Sequence, residues 1–132
     1  MRHRLFTLDE ANRLLPWLKE RLAELDKYRE SLAQVQERIG EVHLKGRTNG
    51  ATGDGHPAGL TQQMLESTER QANAVIERIM QEGIILRDPA RGLVDFPSMR
   101  DGHEVYLCWL RDEPGIGYWH DTDAGFAGRR PL

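Results

Sequence analysis

The sequence predicts an α+β fold, in which a long antiparallel helical hairpin packs on an antiparallel β-meander of three to four strands. Three observations predict this class. Apolar residues recur every three or four positions before Gly83, a spacing typical of helices that bury one face. After Gly83 they recur at every second position, as in strands with one buried face. Turn-forming groups of Asp, Pro and Gly separate these later apolar runs.

Length, charge and cysteine content restrict the class of protein. The chain has 132 residues, the size of a single domain, and we divide it into helix 1 (1–45), a flexible connector (46–60), helix 2 (61–83) and a sheet with a C-terminal tail (84–132). The net charge is −3, so the basic excess of a nucleic-acid-binding protein is missing. Cys108 is the only cysteine, which excludes an intramolecular disulfide. No apolar run is long enough to cross a membrane, and we expect a cytoplasmic protein.

Helix 1 is predicted to begin near Thr7. Thr7 and Glu10 have the spacing of a capping box, in which each side chain accepts a hydrogen bond from the backbone of the other. One apolar stripe follows, formed by Leu15, Leu18, Leu22, Leu25, Tyr28, Leu32, Val35, Ile39 and Val42. Pro16 cannot donate a hydrogen bond to the carbonyl of Asn12, which predicts a kink or a short separate helix before Trp17.

Helix 2 follows the glycine-rich connector. Residues 46–59 carry no large apolar side chain, so burial cannot offset the entropy of ordering them. The apolar stripe of helix 2 extends from Leu65 to Met80, and Gly83 lies where a left-handed C-cap is typical. Because helix 1 is the longer helix, part of its stripe needs another partner, either the sheet or a second subunit.

The last third of the chain reads as a meander of short strands. Four strands are predicted, at residues 84–87, 93–99, 104–110 and 116–120. The pair Asp101-Gly102 predicts a type I′ turn, because both central residues of that turn need positive φ. Arg100 then lies opposite His103, and the register of the hairpin follows from this pair.

This register predicts which residues face one another on neighbouring strands. Counting outward from the turn pairs Asp95 with Cys108, Phe96 with Leu107 and Val94 with Trp109. Setting Leu110 opposite Ile116 pairs Leu107 with Trp119 and Tyr106 with His120.

Alternation sorts these side chains onto two faces of the sheet. The apolar face carries Val94, Phe96, Val105, Leu107, Trp109 and Trp119, and we expect it to lie against the helices. The polar face carries Asp95, Pro97, Tyr106, Cys108, Tyr118 and His120. Most of the chemically versatile side chains of this third of the chain are therefore predicted to share one face.

The polar face and the tail together form a candidate site. Its candidate ligand-binding residues are Asp95, Tyr106, Cys108, Tyr118, His120, Asp123 and Arg129. For a divalent metal, His120 and Asp123 offer nitrogen and oxygen donors, and Asp95 completes the set by orienting the imidazole. A small anionic or polar ligand, a partner protein covering this face, and local hydrogen bonds without any ligand are alternatives. Cys108 can also be a small buried side chain instead of a nucleophile with His120 as base, and no catalytic residue is assigned.

Three segments carry a family resemblance: FTLDEANRLLPWL, GLVDFPSMRDGHEVYLCW and YWHDTDAGFAGRRPL. In combination they resemble the bacterial family catalogued as domain of unknown function 2203, over nearly the whole chain apart from the connector. The residues that match its motifs include Pro16, Asp95, Pro97, Arg100, Glu104, Trp109, Trp119, His120, Asp123, Gly125, Phe126 and Arg129. The resemblance implies a small cytoplasmic single-domain protein, and it transfers no activity.

Two classes of function remain open at this point. The first is a non-enzymatic interaction protein that forms a homodimer through the unpaired stripe of helix 1. The second is a protein that binds a small ligand or a metal on the polar face, with enzymatic activity undecided. Nucleic acid is not an expected partner, because acidic residues are mixed among the basic ones of helix 1.

Overall fold

The computed structural model describes residues 4–49 and 56–132, with side chains for residues 4–37 and 62–132. In chain order the elements are α1 (Leu8–Asn49), α2 (His56–Gln81), β1 (Ile85–Asp88), β2 (Leu93–Arg100), β3 (His103–Leu110), β4 (Tyr118–Asp121), a short 3-10 helix (Phe126–Gly128) and β5 (Arg130–Pro131). The α+β class is confirmed. The chain divides into two compact units, Met1–Ala23 with Ile76–Leu132, and Glu24–Val75.

The start of α1 follows the capping-box prediction. The backbone N–H of Thr7 donates to Glu10 Oε1 at 3.0 Å, and the backbone N–H of Glu10 donates to Thr7 Oγ1 at 3.1 Å. Pro16 lies inside α1, which continues through it as one helix, so a short separate helix before Trp17 does not form. The proline removes one hydrogen bond, whereas the apolar stripe on either side of it stays buried. A kink at Pro16 stays a prediction.

Both helices extend into the predicted connector. α1 ends at Asn49 and α2 begins at His56, and residues 50–55 lie outside the described residues. At the other end of α2, Gly83 has φ +93° and its N–H donates to the carbonyl of Met80 at 2.9 Å, which is the predicted left-handed cap. The antiparallel hairpin and the homodimer through helix 1 stay predictions. None of the described helices is both long and apolar enough to span a bilayer.

The sheet is an antiparallel meander with strand order β1-β2-β3-β4-β5. Asp101 and Gly102 both have positive φ, at 51° and 85°, as the type I′ turn requires. The predicted register is confirmed in both hairpins: Arg100 pairs with His103, Val94 with Trp109, Asp95 with Cys108, Phe96 with Leu107, Leu107 with Trp119 and Tyr106 with His120.

The C-terminal end of the sheet differs from the prediction in two places. A fifth strand, Arg130–Pro131, pairs with β4 and corrects the expected count of three to four strands. Its two residues are too few for any alternation, and a proline argues against a strand in sequence. Ile116 precedes β4 instead of lying in it, because its backbone N–H donates to Asn12 Oδ1 in α1 at 3.1 Å.

The apolar face of the sheet is part of the core. Phe96 is fully buried and meets Phe6 edge to face, with ring centroids 5.2 Å apart. The segment before α1 is also bonded to β2, since Phe6 N–H donates to the carbonyl of Pro97 at 2.7 Å. Ser98 Oγ donates to the carbonyl of Phe6 at 2.6 Å. Trp119 is the half-buried member of this face, with the guanidinium of Arg100 4.7 Å from its ring centroid.

Candidate functional site

Three polar side chains converge on the polar face and are almost completely buried. Asp95 of β2, Cys108 of β3 and His120 of β4 are 2%, 1% and 2% exposed. Each offers one donor atom, an oxygen, a sulfur and a nitrogen, and these atoms lie within 4.8 Å of one another. Asp95 and Cys108 are direct partners in the β2–β3 ladder, and His120 lies on the next strand. We call these three residues the donor cluster.

The two carboxylate oxygens of Asp95 contact two different side chains, His120 and Arg87. Its Oδ1 lies 3.0 Å from His120 Nε2, and its Oδ2 accepts a hydrogen bond from Arg87 Nε at 2.9 Å. That hydrogen bond raises the pKa of the Arg87 guanidinium. The guanidinium also lies over the ring of Tyr106, 5.1 Å from its centroid, so Arg87 stays charged and fixes one side of the carboxylate.

The imidazole of His120 faces an acceptor at each nitrogen. Nδ1 lies 2.9 Å from the carbonyl oxygen of Asp121, and since a carbonyl can only accept, Nδ1 carries the proton and donates. Nε2 then points at the carboxylate of Asp95. Two lone pairs at this distance repel, so the contact requires a proton or a metal ion between Nε2 and Oδ1.

The Cys108 thiol holds its proton strongly. Burial, followed by the negative charge of Asp95, raises the pKa of Cys108 from 9.0 to about 12. Without a cation beside it the sulfur is therefore a thiol at neutral pH. This argues against the alternative in which Cys108 is a nucleophile and His120 its base, because the thiolate is the reactive form.

The donor cluster lines a cavity of about 300 Å³. The other lining residues are Arg87 and Leu93 from the sheet and residues 122–126 of the tail. Asp123 is exposed in this wall and is not part of the donor cluster. Tyr106 contacts the cluster from the side, with its ring centroid 5.5 Å from that of His120.

Tyr118 and Arg129 are also candidate ligand-binding residues in the sequence. In the structure they contact each other beside the donor cluster and hold the tail in place. The Arg129 guanidinium lies 4.1 Å from the Tyr118 ring centroid and 4.7 Å from that of Phe126. Its Nη2 donates to both carboxylate oxygens of Glu113, at 2.6 and 2.8 Å, and to the carbonyl of Cys108 at 3.4 Å. The tail is thereby held beside the cavity, and neither Tyr118 nor Arg129 lines it.

Two residues of this region escaped the sequence analysis. Arg87 is recruited through the β1–β2 ladder, which has an irregular register between Leu86 and Asp88 that no turn motif predicts. Glu113 sits in the turn after β3 and accepts a hydrogen bond from the backbone N–H of Leu110 at 2.7 Å. Arg87 lies two residues beyond Ile85, the partner of Asp95, and therefore on the same face of the sheet, and no sequence signal gives that register.

The fold and the cluster define a small α+β protein with a buried oxygen, sulfur and nitrogen donor set on one face of a meander. The chain matches the family described as "Uncharacterized conserved protein", domain of unknown function 2203, over residues 4–132, and it belongs to that family. The predicted family resemblance is confirmed. No curated protein and no solved structure matches the chain.

Proposed function

We propose that this protein binds a divalent transition-metal ion through Asp95, Cys108 and His120. The observation that carries the proposal is the contact between His120 Nε2 and Asp95 Oδ1, which needs a proton or a metal ion between its two atoms and has the Cys108 sulfur beside it. A metal ion meets this need and uses the nearby sulfur as well. The hydrogen bond of Nδ1 to the carbonyl of Asp121 supports the same role, because metal-binding histidines commonly donate their other ring N–H in this way.

The distances support a tetrahedral ion. With metal–nitrogen and metal–oxygen bonds of about 2.0–2.1 Å, two tetrahedral ligand atoms lie roughly 3.3 Å apart. The separation of Nε2 and Oδ1 is 3.0 Å, so a small opening of this contact admits the ion. A sulfur ligand lies about 3.6 Å from a nitrogen ligand around the same ion, and the cluster spans at most 4.8 Å.

The donor types favour zinc among the common divalent ions. A thiolate with an imidazole selects borderline and soft metals, whereas Mg²⁺ and Ca²⁺ take oxygen donors. With Asp95 and Cys108 ionised, the cluster carries two negative charges, which a divalent ion neutralises. This neutralisation matters because all three side chains are almost completely buried.

The test is metal binding by the purified chain after chelation and dialysis. Zn²⁺ titration, followed by calorimetry, is expected to give one site per chain. Co²⁺ is expected to produce a sulfur-to-cobalt charge-transfer absorption, which reports Cys108 directly. His120→Ala is expected to weaken Zn²⁺ binding at least tenfold, since removal of a ligand costs more than the tenfold losses seen for residues that orient ligands.

The matched control is His103→Ala, which removes an exposed histidine from the same sheet at the hairpin turn. It is expected to bind Zn²⁺ as the unaltered chain does. Cys108→Ser serves as a second variant, because it keeps the size of the side chain, removes the charge-transfer absorption and is expected to weaken Zn²⁺ binding by removing the sulfur ligand. A chain that binds neither Zn²⁺ nor Co²⁺, or whose binding survives His120→Ala and Cys108→Ser, contradicts the proposal.

A further inference from the structure

We infer that the metal ion bound by the donor cluster keeps one coordination position for a small anionic ligand that enters from the cavity beside β4. The inference rests on the proposed metal binding and concerns what else the ion would bind. The ligand is a small monoanion with an oxygen, nitrogen or sulfur donor atom, and it reaches the ion through the cavity.

The direction of the free position follows from the sheet. Asp95, Cys108 and His120 come from three adjacent strands and share one face, so their side chains rise from the same side of the sheet as a tripod. An ion held by the three tips has its fourth tetrahedral position on the side away from the strands. Three protein ligands with one exchangeable position are typical of catalytic zinc sites, whereas structural sites use four protein ligands.

The cavity lies where that fourth position points. It is lined by all three donor residues and by residues 122–126 of the tail. Its volume of about 300 Å³ is at the small end of the range for ligand sites. This volume favours a small ligand.

The charges around the ion favour an anion. The divalent ion balances Asp95 and Cys108, and the Arg87 guanidinium in the cavity wall adds one positive charge. Asp123 in the wall is exposed and the Arg87 side chain is 44% exposed, so water screens both of these charges and the buried ion is the main attraction for an anion. Leu93 and Phe126 add apolar surface, which suits an anion with a short apolar part.

The experiment uses the Co²⁺-loaded full chain and titrates it with azide and, separately, with acetate. Addition of the anion is expected to change the visible absorption of Co²⁺ saturably, because a new donor atom alters the ligand field. Gly125→Phe fills the cavity mouth: Gly125 lines it, has an ordinary extended φ of −124°, and an added Cβ there meets no atom within 4 Å. This variant is expected to bind azide at least tenfold more weakly.

The matched control is Gly117→Phe. Gly117 also has no atom within 4 Å of an added Cβ, and it does not line the cavity, so azide affinity is expected to stay unchanged. Thr122→Trp narrows the same cavity from another wall residue and is the second variant if Gly125→Phe fails to fold.

The outcomes separate the inference from the proposed function. If the chain shows no Co²⁺ absorption at all, the metal site itself is absent. If Co²⁺ binds and azide changes nothing, the inference is wrong and the metal site stands. Equal azide affinity in Gly125→Phe and Gly117→Phe also overturns the inference, because the anion then does not enter through the cavity. Azide binding that appears only in Asp123→Asn overturns it as well, since Asp123 would then be the fourth ligand.

Discussion

Neighbouring residues of β2 lie on opposite faces of one sheet, and both faces are buried in different ways. Phe96 is 0% exposed and packs against another aromatic ring, whereas the adjacent Asp95 is 2% exposed and is surrounded by charged and polar groups. The same alternation holds in β3, where Leu107 and Cys108 are both buried. A two-sided buried sheet of this kind usually has apolar residues on both faces.

The two faces respond differently to change because their energies have different origins. Apolar burial contributes roughly 25 cal/mol per Å² and has no preferred direction, so the apolar face tolerates a change of shape better than a loss of volume. Burial of a charge is costly unless each polar atom has a partner, so the polar face depends on single contacts. We therefore expect stability to depend mainly on the apolar face, and binding on the polar face.

The largest expected effect on stability is on the apolar face. Phe96→Ala removes a fully buried ring and is expected to lower the free energy of unfolding by about 3–5 kcal/mol, as for other buried aromatic residues. Urea denaturation measures this loss. Met99→Ala is the control, because Met99 is 53% exposed, and its expected change is within about 0.5 kcal/mol. If Phe96→Ala lowers the free energy of unfolding by less than about 1 kcal/mol, stability does not depend mainly on the apolar face.

On the polar face, the Cys108 thiol is expected to react very slowly. A pKa of about 12 in place of 9.0 means that the thiolate fraction at pH 8 is about a thousandfold smaller than in an unfolded chain. Alkylation of metal-free protein by iodoacetamide, compared with alkylation in urea, measures this difference. Similar rates in the two states show that the thiol is not desolvated.

The same pKa has a consequence for stability at high pH. The unfolded chain releases the thiol proton near pH 9.0, whereas the folded protein holds it to about pH 12. Unfolding is therefore favoured progressively as the pH rises from 9.0 towards 12, and the contribution is absent below pH 9.0. Cys108→Ala removes the group, so the difference in stability between the two proteins is expected to shift in favour of Cys108→Ala over this range of pH.

The next largest expected effect on stability comes from removing the Asp95 carboxylate, which contacts both His120 and Arg87 on the polar face. Asp95→Ala leaves His120 Nε2 and Arg87 Nε without their acceptor and is expected to cost about 2–3 kcal/mol in metal-free protein. Arg87 is partly exposed, so most of this cost comes from the buried imidazole. Thermal or urea unfolding measures it, and Asp112→Ala, at an exposed site, is the control. Equal stability of the two variants contradicts the dependence on single polar contacts.

The smallest expected effect lies outside both faces, at the start of α1. Thr7→Ala removes the hydroxyl that accepts from Glu10 N–H and is expected to cost about 1 kcal/mol, whereas Thr7→Ser keeps the cap. Urea denaturation of both variants measures how much this exposed hydrogen bond contributes to the free energy of unfolding. If Thr7→Ala lowers the free energy of unfolding as much as Asp95→Ala does, the expected larger effect of a buried polar contact is contradicted.

Several parts of the fold were predictable because local chemistry decides them. The cap at Thr7, the left-handed Gly83 and the type I′ turn at Asp101-Gly102 each depend on residues a few positions apart. The turn also determines the register, and since side chains alternate strictly, the pairing of Asp95 with Cys108 follows from counting. The donor cluster was predictable to this extent, as three residues on one face.

Other features were not predictable because they depend on contacts between distant segments. Arg87 reaches Asp95 through an irregular ladder, and β5 forms only because the tail returns to β4. The sequence analysis proposed Asp123 of the tail as an oxygen donor beside His120, whereas the tail turns there and leaves Asp123 exposed in the cavity wall. The sequence of an irregular segment does not show which way its side chains point, which explains the difference.

The sequence by itself determined the class of fold, the order of the strands and the face on which each side chain of β2 to β4 lies, because periodicity and turn residues act over short distances. Only the tertiary structure decided that Asp95, Cys108 and His120 of the polar face are buried, since residues 122–126 of the tail fold back and line the cavity beside them. Burial turns a set of ordinary polar residues into a cluster that requires a proton or a metal ion between His120 Nε2 and Asp95 Oδ1.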